Sequence, residues 1–245
     1  MKTATAISNN NTVTLAGKLV QKPTFSHEVF GEKFFAATLA VNRLSGSQDL
    51  IPVSIPQTLL TEQVVGGADV LVKGQFRSYN KIENERSKLI LTVFVKELTL
   101  LAEPTNLNEL ELHGYVCKQP VYRVTPLERE ICDLLVAVNR QYGKSDYIPC
   151  IVWGRKARFA NTLPVGSKVL VSGRLQSRKY LKSLENGTQE ERTAYEMSVA
   201  FISAETDGDQ TAATSSLSPQ SDVAEPTSDG TQAESQQPAE LSTEE

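Results

Sequence analysis

Tyr147-Ile148-Pro149-Cys150-Ile151-Val152-Trp153-Gly154-Arg155-Lys156-Ala157-Arg158 is the stretch on which the reading of this chain turns. Its first seven residues alternate with period two, the pattern of a β-strand. That pattern puts Ile148, Cys150 and Val152 on one face and Tyr147, Pro149, Ile151 and Trp153 on the other. The first is a plain core face. The second carries two large aromatics, one of them the only Trp in the chain, and runs into Arg155, Lys156 and Arg158. Rings that stack on bases of any identity, beside cations that follow phosphates, suit a single-stranded nucleic acid. The same ring also suits a second hydrophobic layer, because aromatics are more often packed than functional.

Working outward, the stretch belongs to the second copy of a repeat. Gly17 recurs as Gly114, Pro23 as Pro120, Ala40-Val41-Asn42-Arg43 as Ala137-Val138-Asn139-Arg140 and Ile51-Pro52 as Ile148-Pro149, every pair offset by 97. Further on, Val72-Lys73-Gly74 recurs as Val171-Ser172-Gly173, with the offset grown to 99. One offset shared by several landmarks means a duplicated domain of about 95 residues rather than a short solenoid repeat.

Each copy reads as the same series of elements. Thr12–Val20 and Glu109–Cys117 form a first strand, with Gly17 or Gly114 at a bend. Lys33–Asn42 and Glu130–Asn139 form the second, and Asp49–Ile55 and Asp146–Trp153 the third. A short helical segment follows, Pro56–Val64 in one copy and Arg155–Leu163 in the other. Asp69–Phe76 and Lys168–Leu175 give the fourth strand. The fifth, Ser87–Leu101 and Thr193–Ala204, comes after polar excursions at Asn80–Arg86 and Lys182–Arg192. Five strands with a helix between the third and fourth match a Greek-key barrel of the OB type. The expected fold is all-β, with two tandem OB-fold barrels at 12–103 and 108–206 and a short Pro-containing linker around Ala102–Asn108. A flexible start at 1–11 and a disordered acidic tail at 207–245 complete it.

Charge divides along the same lines. The 245 residues hold 25 Lys+Arg and 29 Asp+Glu, a net of −4. Nine of those acids and none of the basic residues lie from Asp207 onward, so the preceding 206 residues carry a net of +5. A mildly basic body points to a polyanion partner, and the Ser/Thr/Gln/Pro-rich acidic tail lacks the apolar residues to fold. Cys117, Cys132 and Cys150 are widely spaced within apolar patterns, and His27 and His113 are isolated. That argues against a disulfide framework, a zinc site or any other cofactor, and for a reducing compartment. No signal peptide, apolar membrane span, phosphate loop or nucleophile motif is legible, so the reading is a cytoplasmic protein that is not an enzyme.

The second copy resembles the bacterial single-stranded DNA-binding proteins. Leu112-His113-Gly114-Tyr115-Val116 is similar to that family's first strand, and Leu135-Val136-Ala137-Val138-Asn139-Arg140 to its second. Tyr147 to Lys156 is similar to its third strand, and Gly166 to Tyr180 to its Lys-Gly-Ser…Gly-Arg-Leu…Arg-Lys-Trp segment. The resemblance implies base-stacking aromatics at Tyr147, Trp153 and Tyr180 and phosphate contacts at Arg155, Arg178 and Lys179. Lys156, Arg158, Arg174 and Arg140 complete the candidate surface in copy two, and Lys73, Arg77, Tyr79 and Lys81 form a candidate hairpin in copy one. Copy one departs from the pattern, with Leu50 opposite Tyr147, Pro56 opposite Trp153 and Lys81 opposite Tyr180.

The resemblance further implies a homo-oligomer, here a dimer that gives four barrels, acting in DNA replication, recombination or repair. It also implies replication or repair proteins as partners of the acidic tail. The tail ends Pro238-Ala239-Glu240-Leu241-Ser242-Thr243-Glu244-Glu245, however, without the family's aromatic tip. Two other readings fit the same residues. One is a protein-interaction scaffold, such as an accessory subunit of a replisome or primosome. The other is an RNA-binding protein, because stacking does not distinguish the sugar.

Overall fold

Two strands of each copy that share a backbone contact explain the repeated glycines. A Cβ on Gly17 would stand 2.3 Å from the Ala40 carbonyl oxygen, and one on Gly114 would stand 2.5 Å from that of Ala137. Only glycine lets the first strand bend there and change pairing partner. In this computed structural model, which describes residues 10–83, 86–183 and 188–205, β1 (Asn11–Leu19) pairs first with β5 (Asp69–Glu83) and then with β3 (Glu32–Asn42). Its counterpart β7 (Leu107–Val116) does the same with β11 (Lys168–Ser183) and β9 (Glu130–Asn139). Those two double pairings close two barrels.

Each barrel is completed by a third strand, β4 (Gln48–Pro56) or β10 (Ser145–Trp153), and a last one, β6 (Arg86–Leu100) or β12 (Gln189–Glu205). The third and last strands run parallel, at Val53↔Val93 in one barrel and at Cys150 to Val152 against Met197 to Val199 in the other. Both barrels are filled by inward residues at period two, among them Leu15, Leu39, Ile51 and Phe76, and Leu112, Ile148, Leu175 and Met197, none of them exposed. The two barrels are one continuous sheet, because β1 and β7 pair antiparallel from Asn11↔Leu112 to Ala16↔Leu107.

The all-β architecture of two tandem OB-fold barrels is the one expected, with several differences of detail. Each barrel has a sixth, edge strand: β2 (Thr24–Val29) or β8 (Val121–Val124). All six residues of β2 are exposed, so no alternation marks it. Phe30 and Gly31 link β2 to β3 with φ of 50° and 80°, the two positive values of a type I′ hairpin turn. The helical segment expected at Pro56–Val64 is only a 3-10 turn at Gln57–Leu59. Its β-branched Thr58, Thr61 and Val64 disfavour a helix. In copy two α1 (Arg155–Asn161) does form, and its Ala157 and Ala160 are buried.

The hairpins expected between the fourth and fifth strands run further than the reading placed them. β5–β6 and β11–β12 run on as long two-stranded arms, paired out to Glu83↔Arg86 and Ser183↔Gln189. Polar side chains on both faces hide such an arm from a burial pattern. The linker is shorter than expected, since β7 starts at Leu107. Residues 1–9 of the expected flexible start and the expected tail at 207–245 lie outside the described residues, while Asn11 is in β1 and buried. Among the described residues no helix is long and apolar enough to cross a membrane.

Candidate nucleic-acid interface

Alternation along β10 sorts its side chains as the sequence suggests. Ile148, Cys150 and Val152 are sealed in the core, while Tyr147 and Trp153 are 47% and 37% exposed. Ile151 is the exception on the outer face, being buried. The Trp153 indole N–H donates to Ser198 Oγ at 3.2 Å, which ties its edge to β12. Gly154 then takes φ 59° and turns the chain into α1, whose first residue, Arg155, is exposed. Lys156 is also exposed and donates to the Ala200 carbonyl.

Arg158 is turned to another task. Its guanidinium forks onto Glu130, with Nε 2.9 Å from Oε1 and Nη2 2.5 Å from it, and the Tyr122 hydroxyl donates to the same carboxylate at 2.8 Å. Hydrogen bonds from Arg158 and then Tyr122 hold the Glu130 carboxyl below the ordinary range.

The second barrel's arm carries the other aromatic. Tyr180 is 37% exposed, and the Arg178 guanidinium lies over its ring, 5.7 Å from the centroid. Arg178 also reaches Glu196 at 3.3 Å, a buried carboxylate that accepts from Gln176 at 2.8 Å. Lys179 is exposed and paired with Glu191 at 2.8 Å. Arg174 lies elsewhere, in a groove of about 680 Å³ that it shares with Glu109 and Glu111 across β7, β11 and β12.

In the first barrel Tyr79 is exposed on the β5 arm, Lys73 is 3.7 Å from Glu97, and Lys81 stands opposite Lys88. Leu50 and Pro56 occupy the places of Tyr147 and Trp153, Leu50 partly exposed and Pro56 buried. The barrel's aromatics lie instead around the β2–β3 hairpin. Phe25 and Phe30 are exposed there, and His27 stacks on the buried Phe34 at 5.1 Å.

Arg140 and Arg77 are not brought to the aromatic face. Arg140 donates to Asp146 Oδ1 and to the Ser78 carbonyl, each at 2.6 Å, and Arg77 lies 3.8 Å from Asp146 Oδ2. Asp146, 1% exposed, accepts the Ser78 backbone N–H at 2.6 Å, and the Tyr147 N–H donates to Ser78 Oγ at 2.7 Å. These bonds pin the first barrel's arm to the second barrel's third strand. Burial is the main reason that Asp146 is raised above, and Arg77 lowered below, its ordinary pKa.

The mirror set fixes the other arm. Asp49, fully buried, takes Arg43 Nε at 2.8 Å and Nη2 at 2.5 Å, and accepts the Ser177 N–H at 2.6 Å. Leu50 N–H donates to Ser177 Oγ at 3.1 Å. Reasoning from sequence missed this quartet of Asp49, Asp146, Ser78 and Ser177, although a signal was present. Each charged or hydroxyl residue recurs at the repeat offset, next to landmarks already aligned. Among the described residues no group of three His, Cys, Asp or Glu could hold a metal.

Residues 107–204 match the model of the Single-strand binding protein family. The chain is 40% identical over 81 residues to "Single-stranded DNA-binding protein 1" of Staphylococcus aureus (strain COL), a match covering 30% of this chain and 48% of that protein. It is 38% identical over 81 residues to "Single-stranded DNA-binding protein A" of Bacillus subtilis (strain 168), covering 30% and 47%. The chain thus spans about half the length of the curated relatives it matches. Among solved structures it resembles the wild-type single-stranded DNA binding protein from Thermus aquaticus, with a TM-score of 0.60 and 22% identity over 83% of this chain and 96% of that one. That likeness is one of fold, and it extends well beyond a single barrel. The family match thus falls on residues 107–204, the second barrel.

Proposed function

We propose that this chain binds single-stranded DNA without sequence preference, as a binding protein rather than an enzyme, in DNA replication, recombination or repair in the cytoplasm. The observation that carries the reading is that Tyr147, Trp153 and Tyr180 are all exposed, with Arg178 lying over the Tyr180 ring and Arg155 and Lys179 exposed as well. Bases stack on the rings, each stack contributing about 1–3 kcal/mol, and the cations displace counterions from the phosphates. Lys156, Tyr79, Lys73 and Lys81 extend the surface. Arg140 and Arg77 act at one remove, by holding the arm. The working unit is a homodimer of four barrels, in keeping with two barrels per chain.

Titration with oligo-dT, followed by the fluorescence of Trp153, tests the proposal. Quenching that reverses with added salt is expected. An unchanged signal, together with no salt-sensitive shift on a gel, would rule the reading out in favour of a protein-interaction scaffold. Competition between oligo-dT and oligo-U then separates DNA from RNA as the preferred strand.

A further inference from the structure

Both arms leave their own barrel and are caught by the other, each at one serine. On the second barrel's arm the catch is at Ser177, whose N–H and Oγ lie 2.6 and 3.2 Å from Asp49 Oδ1. Arg43 closes the set by donating to the Ser177 carbonyl at 2.9 Å. The backbone donor and acceptor of one residue are thus both engaged by one buried ion pair, which fixes the strand's position and its twist together. Tyr180 comes three residues later, about 10 Å further along the strand, where its ladder partner is Arg192 of the same arm.

The placement of that ring and of Arg178 beside it is therefore set at Ser177, by a carboxylate belonging to the first barrel. That barrel has Leu50 where the second has Tyr147, and Leu50 is the residue whose N–H meets Ser177 Oγ. The first barrel's third strand, poor in aromatics of its own, is met there by an aromatic and cationic arm from its neighbour.

We infer that Asp49 is a positioning residue for single-stranded DNA binding, holding the second barrel's arm so that Tyr180 and Arg178 serve a site shared by both barrels. The inference rests on the DNA-binding reading above. It gives the first barrel a part in binding that its own third strand does not supply, and it makes the two barrels one interface rather than two independent ones.

Affinity for fluorescently labelled oligo-dT in double-mutant combinations tests it. Asp49→Ala is expected to weaken binding about fivefold or more, near the lower end of one base stack. Asp49→Ala combined with Tyr180→Ala should bind no more weakly than the worse single variant, whereas its effect should multiply with that of Trp153→Ala. Arg43→Met with Asp49→Leu removes both charges and leaves no buried ion unpaired, so a folded variant is available in which the same loss is expected. Affinity within twofold of wild type in that variant, or effects that multiply with Tyr180→Ala, would overturn the inference.

Amide exchange decides the matter without DNA. Loss of Asp49 should speed exchange along 177–183 and leave β10 protected, and an arm that stays equally protected would overturn the inference as well. If the wild-type chain gives no salt-sensitive shift with oligo-dT, the DNA-binding reading falls and the inference about binding falls with it. Faster exchange in the arm would then report a purely structural contact.

Discussion

Asp146 accepts the backbone N–H of Ser78 at 2.6 Å across the junction of the barrels, and at the same distance Asp49 accepts that of Ser177. The two bonds are equivalent under the repeat, but their surroundings are not. Asp49 has both oxygens engaged by Arg43. Asp146 Oδ2, Arg77 Nε and Arg140 Nε are buried without a hydrogen-bond partner among the described residues. The extra cation arises because Arg77 stands where the other arm has Gln176.

Removing the Asp146 carboxylate leaves two half-buried guanidiniums and the Ser78 N–H uncompensated. Asp146→Ala is therefore expected to cost about 3 kcal/mol, measured by urea denaturation. Asp146→Asn keeps an acceptor at Oδ1 and should cost much less.

The pH dependence of the same pair has a definite sign. Burial raises the folded pKa of Asp146 above the unfolded value of about 3.9, so the folded state holds that proton more tightly. Its contribution is full below about pH 3.9 and is lost as pH rises through the raised folded value. The stability of wild type relative to Asp146→Asn should fall over that window. A difference that grows with pH would contradict the assignment.

Gly114→Ala puts a methyl 2.5 Å from the Ala137 carbonyl oxygen and 2.7 Å from Val136 Cγ1. Neither a backbone carbonyl nor a packed core valine yields cheaply. A loss of about 1–3 kcal/mol in denaturant unfolding is expected, against the usual gain on replacing a strand glycine.

Salt dependence separates cations that meet phosphate from those that hold the fold. Arg155→Ala should lower the slope of log K against log salt by about 0.7, the value of one single-strand phosphate contact. Arg140→Ala should leave the slope nearly unchanged while lowering the unfolding midpoint, because its guanidinium is spent on Asp146 and the Ser78 carbonyl.

Thiol labelling reports the barrel core. Burial pushes the Cys132 thiol up to about 11 and Cys150 still further, and both are inaccessible in the folded chain, whereas Cys117 is half-buried. Iodoacetamide at pH 8 should therefore modify Cys117 first, and labelling of all three at one rate would show that the barrel opens as a whole.

What the sequence alone determined was local or periodic: the duplication, the alternation that buries Ile148, Cys150 and Val152, and the outward Tyr147 and Trp153 running into Arg155. Those follow from a two-residue period and from landmarks that repeat at a constant offset, so they can be read without coordinates. Only the tertiary structure decided where Arg77 and Arg140 point, how far the paired arms run, and that each arm is held by the other barrel. The physical reason is that the β1–β7 edge pairing brings Asp49 to Ser177 and Asp146 to Ser78, residues 128 and 68 positions apart. A charge on a strand looks the same to local periodicity whether it meets water, a phosphate or a buried partner, and the register between two barrels settles which.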